Sequence, residues 1–151
     1  MPETQSLFQR AEEDIVKSIG SIKLKSAIYE SAPWGFTAES DFLNMVIEVE
    51  TVLTPKEQIK QLLNIESLLG RTRNNKNGYV SRGIDLDILF IDDLIINTKQ
   101  LVVPHPRLHL RKFTLVPLCE KWGAKIHPSI NKPLCQLLVD CPDDVIVKIK
   151  N

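Results

Sequence analysis

Apolar residues recur at helical intervals in two long stretches of the chain, over 7–19 and over 55–69. The second stretch opens with Thr54, Pro55 and Glu57, which have the spacing of a capping box with proline at the first helical position. Each stretch is followed by a glycine, which is typical of a helix end. Shorter helical patterns cover residues 108–121 and 133–139.

Alternating or continuous apolar runs predict strands between these helices. The runs cover residues 22–30, 42–52, 82–90, 94–96 and 145–149, with loops at 31–40 and 71–81. The order helix, strand, strand, helix, strand predicts an α+β fold in which helices pack on an antiparallel sheet. At 151 residues, the chain is predicted to form a single domain over 1–151.

The segment 82–90 is apolar except for two carboxylates near its centre. Because side chains of a strand alternate between faces, Asp85 and Asp87 are expected on one face, with Leu86 and its apolar neighbours on the other. Two like charges on so apolar a strand are costly unless a cation lies between them. The pattern therefore predicts a divalent metal site, and Arg82 and Arg111 indicate that the metal holds phosphate.

The composition argues against nucleic acids and membranes as partners. Lys+Arg and Asp+Glu balance at 19 each, so the chain has no overall positive field to attract nucleic acid or a membrane surface. Its apolar runs are shorter than the roughly 20 residues that a membrane span needs. Three cysteines without C-x-x-C spacing favour reduced thiols in a cytoplasmic protein over a disulfide or a zinc site.

The chain contains neither of the glycine-rich patterns that bind nucleotide phosphates, so ATP would be bound by side chains and metal. The candidates are Arg71, Arg73, Arg82, Asp85, Asp87, His105 and Arg111. Each has an ordinary alternative: the carboxylates and loop arginines as solvated side chains, His105 as a turn residue, Arg111 as cover for apolar surface.

Several sequence blocks together resemble one family. They are Y-E-S-A-P-W-G at 29–35, D-F-L-N at 41–44, G-R-x-R at 70–73, R-G-I-D-L-D-I-L-F at 82–90, I-N-T at 96–98, L-V-V-P-H-P-R at 101–107 and R-K-F-T-L-V-P-L at 111–118. The chain resembles the 6-hydroxymethyl-7,8-dihydropterin pyrophosphokinases over nearly its whole length after residue 6. The resemblance implies a ferredoxin-like fold and transfer of diphosphate from ATP to the pterin, with release of AMP, in folate biosynthesis.

The same resemblance implies a role for each matching residue. Asp85 and Asp87 would hold two Mg²⁺ ions that bridge the ATP phosphates, and Arg73 and Arg82 would supply positive charge during transfer. Nucleotide contacts are expected from Glu66, Arg82, Ile88, His105 and Arg111. Pterin contacts are expected from Ser31, Ala32, Trp34, Phe42, Asn44 and Phe113, with the two phenylalanines around the ring and the amide at its edge. For both phenylalanines the alternative is ordinary core packing.

The chain departs from the family pattern in three places. Tyr79-Val80-Ser81 stands where Trp-Gly-Pro is common, and Leu63, Gln100, Val102 and Pro106 replace polar residues at nucleotide-contact positions. The family begins with an apolar strand that ends in Gly-Ser-Asn, whereas here Met1–Gln5 lead straight into the first predicted helix. The expectation is therefore that the chain is truncated, that its start is misassigned, or that it is a divergent protein without that strand.

The missing strand leaves a second functional hypothesis, a truncated or noncatalytic relative that binds nucleotide or pterin without efficient turnover. An RNA-binding module is disfavoured, because the central strand carries two carboxylates. The expected partners are the pterin, ATP and a downstream folate-pathway enzyme, with no nucleic acid or membrane.

Overall fold

The computed structural model describes residues 2–31, 42–70, 72–74, 79–81 and 83–150, with the backbone alone for 2–5, 72–74 and 79–81. The helices are α1 (Pro2–Ser18), α2 (Pro55–Gly70), α3 (Lys112–Trp122) and α4 (Leu134–Asp140), with a 3₁₀ helix at Leu108–Leu110. The strands are β1 (Gly20–Lys25), β2 (Tyr29–Ser31), β3 (Phe42–Asn44), β4 (Ile47–Thr51), β5 (Thr72–Asn74), β6 (Tyr79–Ser81), β7 (Ile96–Asn97), β8 (Val102–Val103) and β9 (Val147–Ile149).

These elements group into two compact units. The first unit comprises Met1–Ile22 and Val49–Ile88, and the second comprises Lys23–Glu48 and Leu89–Asn151. Helices and antiparallel strand pairs occur together, which confirms the α+β class. The single-domain prediction stays a prediction. Among the described residues, no helix is long and apolar enough to cross a membrane.

In the first unit, α1 packs against α2. Ala11 and Ile15 are buried on α1, and Ile65 and Leu69 are buried on α2, each pair with the four-residue spacing of one helix face. This packing confirms the two predicted amphipathic helices.

The start of α2 is fixed by reciprocal hydrogen bonds. The Thr54 N–H donates to Oε1 of Glu57 at 3.1 Å, and the Glu57 N–H donates to Oγ1 of Thr54 at 3.2 Å. Because the two bonds satisfy backbone donors that a helix start leaves unpaired, they confirm the predicted capping box.

The prediction of a simple loop over 71–81 is wrong. β5 and β6 pair antiparallel, with Thr72 opposite Ser81 and Asn74 opposite Tyr79. The dipeptide Asn77-Gly78 between them is the sequence signal for a hairpin.

The prediction of a strand over 82–90 is also wrong for its described part, since residues 83–90 form no strand. The expected alternation is nevertheless present: Asp85 and Asp87 are exposed, whereas Ile84, Leu86 and Ile88 are half-buried. The Leu86 N–H donates to a side chain rather than to a neighbouring strand, which is consistent with a segment that belongs to no sheet.

The second unit contains a three-stranded antiparallel sheet in the order β3-β2-β9. The helix α3 packs against all three strands and against α4. The core of the second unit is a leucine cluster formed by Leu108, Leu115, Leu118, Leu134 and Leu137. The antiparallel sheet with a packed helix agrees with the sequence-based expectation.

The predicted strands 22–30 and 42–52 are each interrupted in the structure, and the two interruptions bond to each other. The buried Ser26 donates its N–H to the Val46 oxygen at 2.8 Å, and its Oγ accepts the Val46 N–H at 2.9 Å. A side chain that satisfies backbone groups in this way competes with the regular strand ladder.

The predicted helix over 108–121 is divided at Arg111, whose backbone is extended at φ −128° and ψ 111°. The helix α3 starts after it, and the Lys112 N–H donates to Oδ2 of Asp143 at 3.1 Å. This bond satisfies a donor at the helix start, so α3 begins later than the apolar pattern predicts.

The second unit also buries a histidine, His127, which is 4% exposed. Its Nδ1 accepts the N–H groups of Ser129 and Ile130, both at 3.1 Å. The ring makes edge contacts with Phe90 and His109, at centroid distances of 5.6 and 6.4 Å. With Nδ1 as the acceptor, the neutral ring carries its proton on Nε2.

Lowering the pH from 7 to 5.5 is expected to lower the free energy of unfolding through His127. Burial, followed by the nearby charges of His109 and Lys125, lowers the pKa of His127 below its ordinary 6.5. As the pH falls below 6.5, His127 takes up a proton in the unfolded chain before it does so in the folded protein. The folded state is therefore favoured less, and this loss of stability is complete once the pH has fallen through the lower pKa of the folded state.

Urea unfolding at the two pH values measures this effect. The control is His127→Asn, whose Oδ1 can accept the same two N–H groups without titrating. The variant should lose less stability on acidification than the original protein, and an equal loss in both would contradict the role of His127.

Candidate active site

The two carboxylates that the sequence singles out, Asp85 and Asp87, lie in the first unit, on an irregular segment that begins at Gly83. Both Asp85 and Asp87 are exposed, so water as well as a cation can stabilise their charges, and the metal site stays a prediction. Both carboxylates alternate with half-buried neighbours and are accessible to solvent as oxygen ligands. Such oxygens suit Mg²⁺, which keeps several positions for water and phosphate.

The described residues offer no closed metal-binding group at this segment. Across that part of the chain, no three His, Cys, Asp or Glu side chains come together as a metal-binding group. The arrangement fits a metal that is shared with phosphate better than a closed protein site.

Glu66 determines the backbone position between these carboxylates. It lies half-buried on α2, and its Oε2 accepts the Leu86 N–H at 2.6 Å. Since Leu86 separates Asp85 from Asp87, this bond orients the backbone from which both carboxylates extend. The resemblance assigned Glu66 to nucleotide contact and did not indicate this structural role.

The start of the segment lies against the end of α2. A Cβ atom on Gly83 would lie 2.7 Å from the carbonyl oxygen of Leu69 and 2.5 Å from Cα of Gly70. Real Cβ atoms do not approach backbone this closely, so the contact requires glycine at position 83. The two glycines thus place the carboxylate segment beside the helix that carries Glu66.

Gly83→Ala is expected to lower the free energy of unfolding by about 1–3 kcal/mol, because the added methyl group must push two backbone segments apart. Chemical denaturation measures the change. The matched control is Gly123→Ala, where φ is −58° and a Cβ would lie 3.2 Å from the nearest atom, the Cys119 oxygen. Equal losses in the two variants would contradict the close-contact explanation.

Three of the expected pterin residues lie on paired strands of the second unit. Ser31 on β2 is 3% exposed and lies opposite Phe42 on β3. Phe42 and Asn44 are two residues apart on β3 and therefore share a face. Phe42 is 56% exposed, which excludes the core-packing alternative for this phenylalanine.

Phe113 is half-buried on the first turn of α3, next to Arg111. The guanidinium carbon of Arg111 lies 5.5 Å from the centroid of the Phe113 ring, within the range of a cation–π contact. One face of the ring is therefore covered. A flat ligand would stack on the opposite face or would displace Arg111.

His105 follows β8 and a cis Val103–Pro104 bond. Its N–H donates to the Leu89 oxygen at 2.9 Å, and its Nδ1 accepts the Arg107 N–H at 3.2 Å. Both the backbone and one ring nitrogen are thus held by the protein, so the neutral ring carries its proton on Nε2. This tautomer can donate to an oxygen such as that of a phosphate.

A model of the family described as 7,8-dihydro-6-hydroxymethylpterin-pyrophosphokinase (HPPK) matches residues 1–122 of the chain. The chain belongs to the HPPK family. This membership confirms the resemblance inferred from the sequence blocks. The matched range ends with α3, and α4 and β9 follow it.

Several curated relatives carry the name 2-amino-4-hydroxy-6-hydroxymethyldihydropteridine pyrophosphokinase. The Aquifex aeolicus protein is 43% identical over 109 residues, which cover 72% of this chain and 67% of the relative. The Bacillus subtilis protein is 46% identical over 95 residues, 63% of this chain and 56% of the relative. The Haemophilus influenzae protein is 33% identical over 124 residues, 82% of this chain and 76% of the relative.

The expected HPPK site residues fall into separate groups. Glu66, Asp85, Asp87 and Ile88 belong to the first unit, and Ser31, Phe42, Asn44, His105, Arg111 and Phe113 belong to the second. Ala32, Trp34 and Arg82 lie outside the described residues, as does the side chain of Arg73, whose backbone lies opposite Val80 in the hairpin. The ligand contacts assigned to all of these residues stay predictions.

Proposed function

We propose that this protein transfers the diphosphate group of ATP to 6-hydroxymethyl-7,8-dihydropterin and releases AMP, as a step of folate biosynthesis. The observation that carries the proposal is the exposed pair Asp85 and Asp87, whose intervening backbone is held by Glu66, in a chain of the HPPK family. Exposed oxygen ligands on an oriented backbone are what a phosphate-bound metal requires.

The chemistry needs positioning more than covalent participation by the protein. The hydroxymethyl oxygen attacks the β-phosphorus, the bond from that phosphorus to the bridging oxygen of AMP breaks, and the hydroxyl proton is released. Asp85 and Asp87 would hold Mg²⁺, with two ions expected. When bound, Mg²⁺ neutralises phosphate charge and aligns the reacting oxygens.

The basic residues would act on the phosphates and the nucleotide. Arg73 and Arg82 would supply positive charge to the group in transfer, because that group carries charge on all its peripheral oxygens. His105 would donate from Nε2, and Arg111 would pair with phosphate or ribose oxygens. Glu66 and Ile88 would lie near the adenine.

The pterin would lie among the residues of β2, β3 and the start of α3. Asn44 would recognise the ring edge, because its amide both donates and accepts. Phe42 and Phe113 would pack against the ring faces. Ser31, Ala32 and Trp34 would complete the site.

We further propose that the sheet and helices adopt a ferredoxin-like arrangement. The missing first strand stays a prediction. The protein is expected to act in the cytoplasm, and a downstream folate-pathway enzyme is its proposed partner.

A steady-state assay of AMP release from ATP, Mg²⁺ and the reduced pterin tests the proposed activity. AMP should form only when all three are present, and chelation of Mg²⁺ with EDTA should abolish it. Binding of ATP and pterin without AMP release would instead support the noncatalytic alternative. Binding of neither substrate would refute the proposal.

A further inference from the structure

Tyr29 is a buried tyrosine in the central strand of the second unit's sheet. It is 7% exposed, and its neighbours in the register are Asn44 on β3 and Ile149 on β9. Its phenol O–H donates to Oε1 of Glu120, with 2.7 Å between the two oxygens. Because Glu120 lies on α3, this bond joins the central strand to the helix that packs on the sheet.

The same carboxylate oxygen holds the backbone that leads into β2. The Ala27 N–H donates to Oε1 of Glu120 at 2.9 Å, while Nζ of Lys121 lies 3.8 Å from Oε2. Burial and the carboxylate raise the pKa of Tyr29 to about 12, and the phenol bond lowers the pKa of Glu120. At neutral pH the pair is therefore a protonated phenol donor and an ionised acceptor.

A second set of bonds extends this network towards β3. The buried Ser26 donates its hydroxyl to the Ala27 oxygen at 2.7 Å. Ser26 also exchanges hydrogen bonds with Val46, at 2.8 and 2.9 Å. Because Val46 lies two residues beyond the end of β3, a continuous polar network connects that strand, the approach to β2 and α3.

We propose that Tyr29 and Glu120 are positioning residues for pterin binding. They determine where β3, which carries Phe42 and Asn44, lies relative to α3, which carries Phe113. This inference rests on the proposed function. Neither Tyr29 nor Glu120 is proposed to contact a substrate.

The argument for a positioning role is geometric. Asn44 lies directly opposite Tyr29, so a displacement of β2 displaces the amide that would recognise the pterin. Apolar packing alone permits small shifts between a helix and a sheet, whereas a charge-assisted hydrogen bond specifies distance and direction. A binding site for a flat, polar ring needs that precision.

Tyr29→Phe tests the proposal because it removes only the hydroxyl group. Calorimetric titration should show about tenfold weaker binding of 6-hydroxymethylpterin, since a small misplacement of binding groups has large effects. The Kd of a nonhydrolysable ATP analogue should stay the same within error. Glu120→Ala should reproduce this split, whereas Glu120→Gln, which keeps an oxygen acceptor, should retain pterin affinity close to that of the original protein.

Leu137→Ala is the matched control, because it removes buried core contacts on α4 without touching the polar network. Its melting temperature should fall at least as far as that of Tyr29→Phe, with the pterin Kd unchanged. Equal weakening of pterin binding in the control would overturn the positioning role, as would unchanged pterin binding by Tyr29→Phe.

The remaining outcomes are also informative. If Tyr29→Phe does not fold, the comparison of Glu120→Gln with Glu120→Ala decides, and equal pterin affinities of these two variants overturn the inference. If the original protein binds no pterin at all, the proposed function itself is wrong.

Discussion

Asp85→Asn and Asp87→Asn are each expected to lower the rate of AMP formation by more than about 100-fold. Even the loss of a residue that only supports a metal ligand typically costs about 10–100-fold, and these residues are the proposed ligands themselves. Both side chains are exposed, so the free energy of unfolding should change by no more than about 0.5 kcal/mol. The substitutions should thus separate activity from stability.

Thermal melts with Mg²⁺ and a nonhydrolysable ATP analogue test whether Asp85 and Asp87 bind the metal and its nucleotide. A ligand that binds only the folded state raises the melting temperature, and that increase should disappear in both variants. Asp144→Asn, another exposed acidic residue, is the matched control and should keep both activity and stabilisation. If all three variants behave alike, the metal assignment is wrong.

Glu66→Ala is expected to lower both stability and activity, whereas Glu66→Gln should lower them much less. Alanine leaves the part-buried Leu86 N–H without its acceptor, at a cost of about 1–3 kcal/mol. Since this bond orients the backbone between the two carboxylates, AMP formation should fall by about tenfold or more. Glutamine keeps an oxygen in reach of the same N–H group.

Chemical denaturation and steady-state kinetics distinguish the two possible roles of Glu66. If Glu66 acts only through contact with the nucleotide, glutamine and alanine should raise the KM for ATP alike and leave stability unchanged. If it supports the carboxylate segment, the alanine variant alone should lose stability, and its loss should be mainly in kcat.

Elements with strong local signals could be predicted from the sequence. The capping box at Thr54 and Glu57 and the glycine at the end of α2 bounded that helix correctly, because both act within a single turn. The hairpin β5–β6 also had a local signal, the dipeptide Asn77-Gly78 between its strands, but the polar composition of 71–81 led to the wrong prediction of a loop.

Other features depend on contacts between distant residues, which periodicity does not encode. The bond from Leu86 to Glu66 spans 20 positions, and the bond from Tyr29 to Glu120 spans 91. The apolar pattern of 82–90 correctly predicted that exposed Asp85 alternates with half-buried neighbours. It did not predict that the Leu86 N–H bonds to the side chain of Glu66 instead of to a neighbouring strand. Local patterns thus indicated which side chains are exposed, but they did not identify Glu66, Tyr29 and Glu120 as residues that position other parts of the chain.

The pairing of β2 with β9 has a consequence for the order of folding. Tyr29 pairs with Ile149 and Ser31 with Val147, so the inner strand β2 receives its second neighbour only after residues 147–149 have left the ribosome, more than 110 positions later. Until then, β2 can pair with β3 alone, and its other edge presents unpaired N–H and C=O groups to other chains. Such long-range pairing is slow to form. A nascent chain halted at residue 122 would be prone to edge-to-edge aggregation.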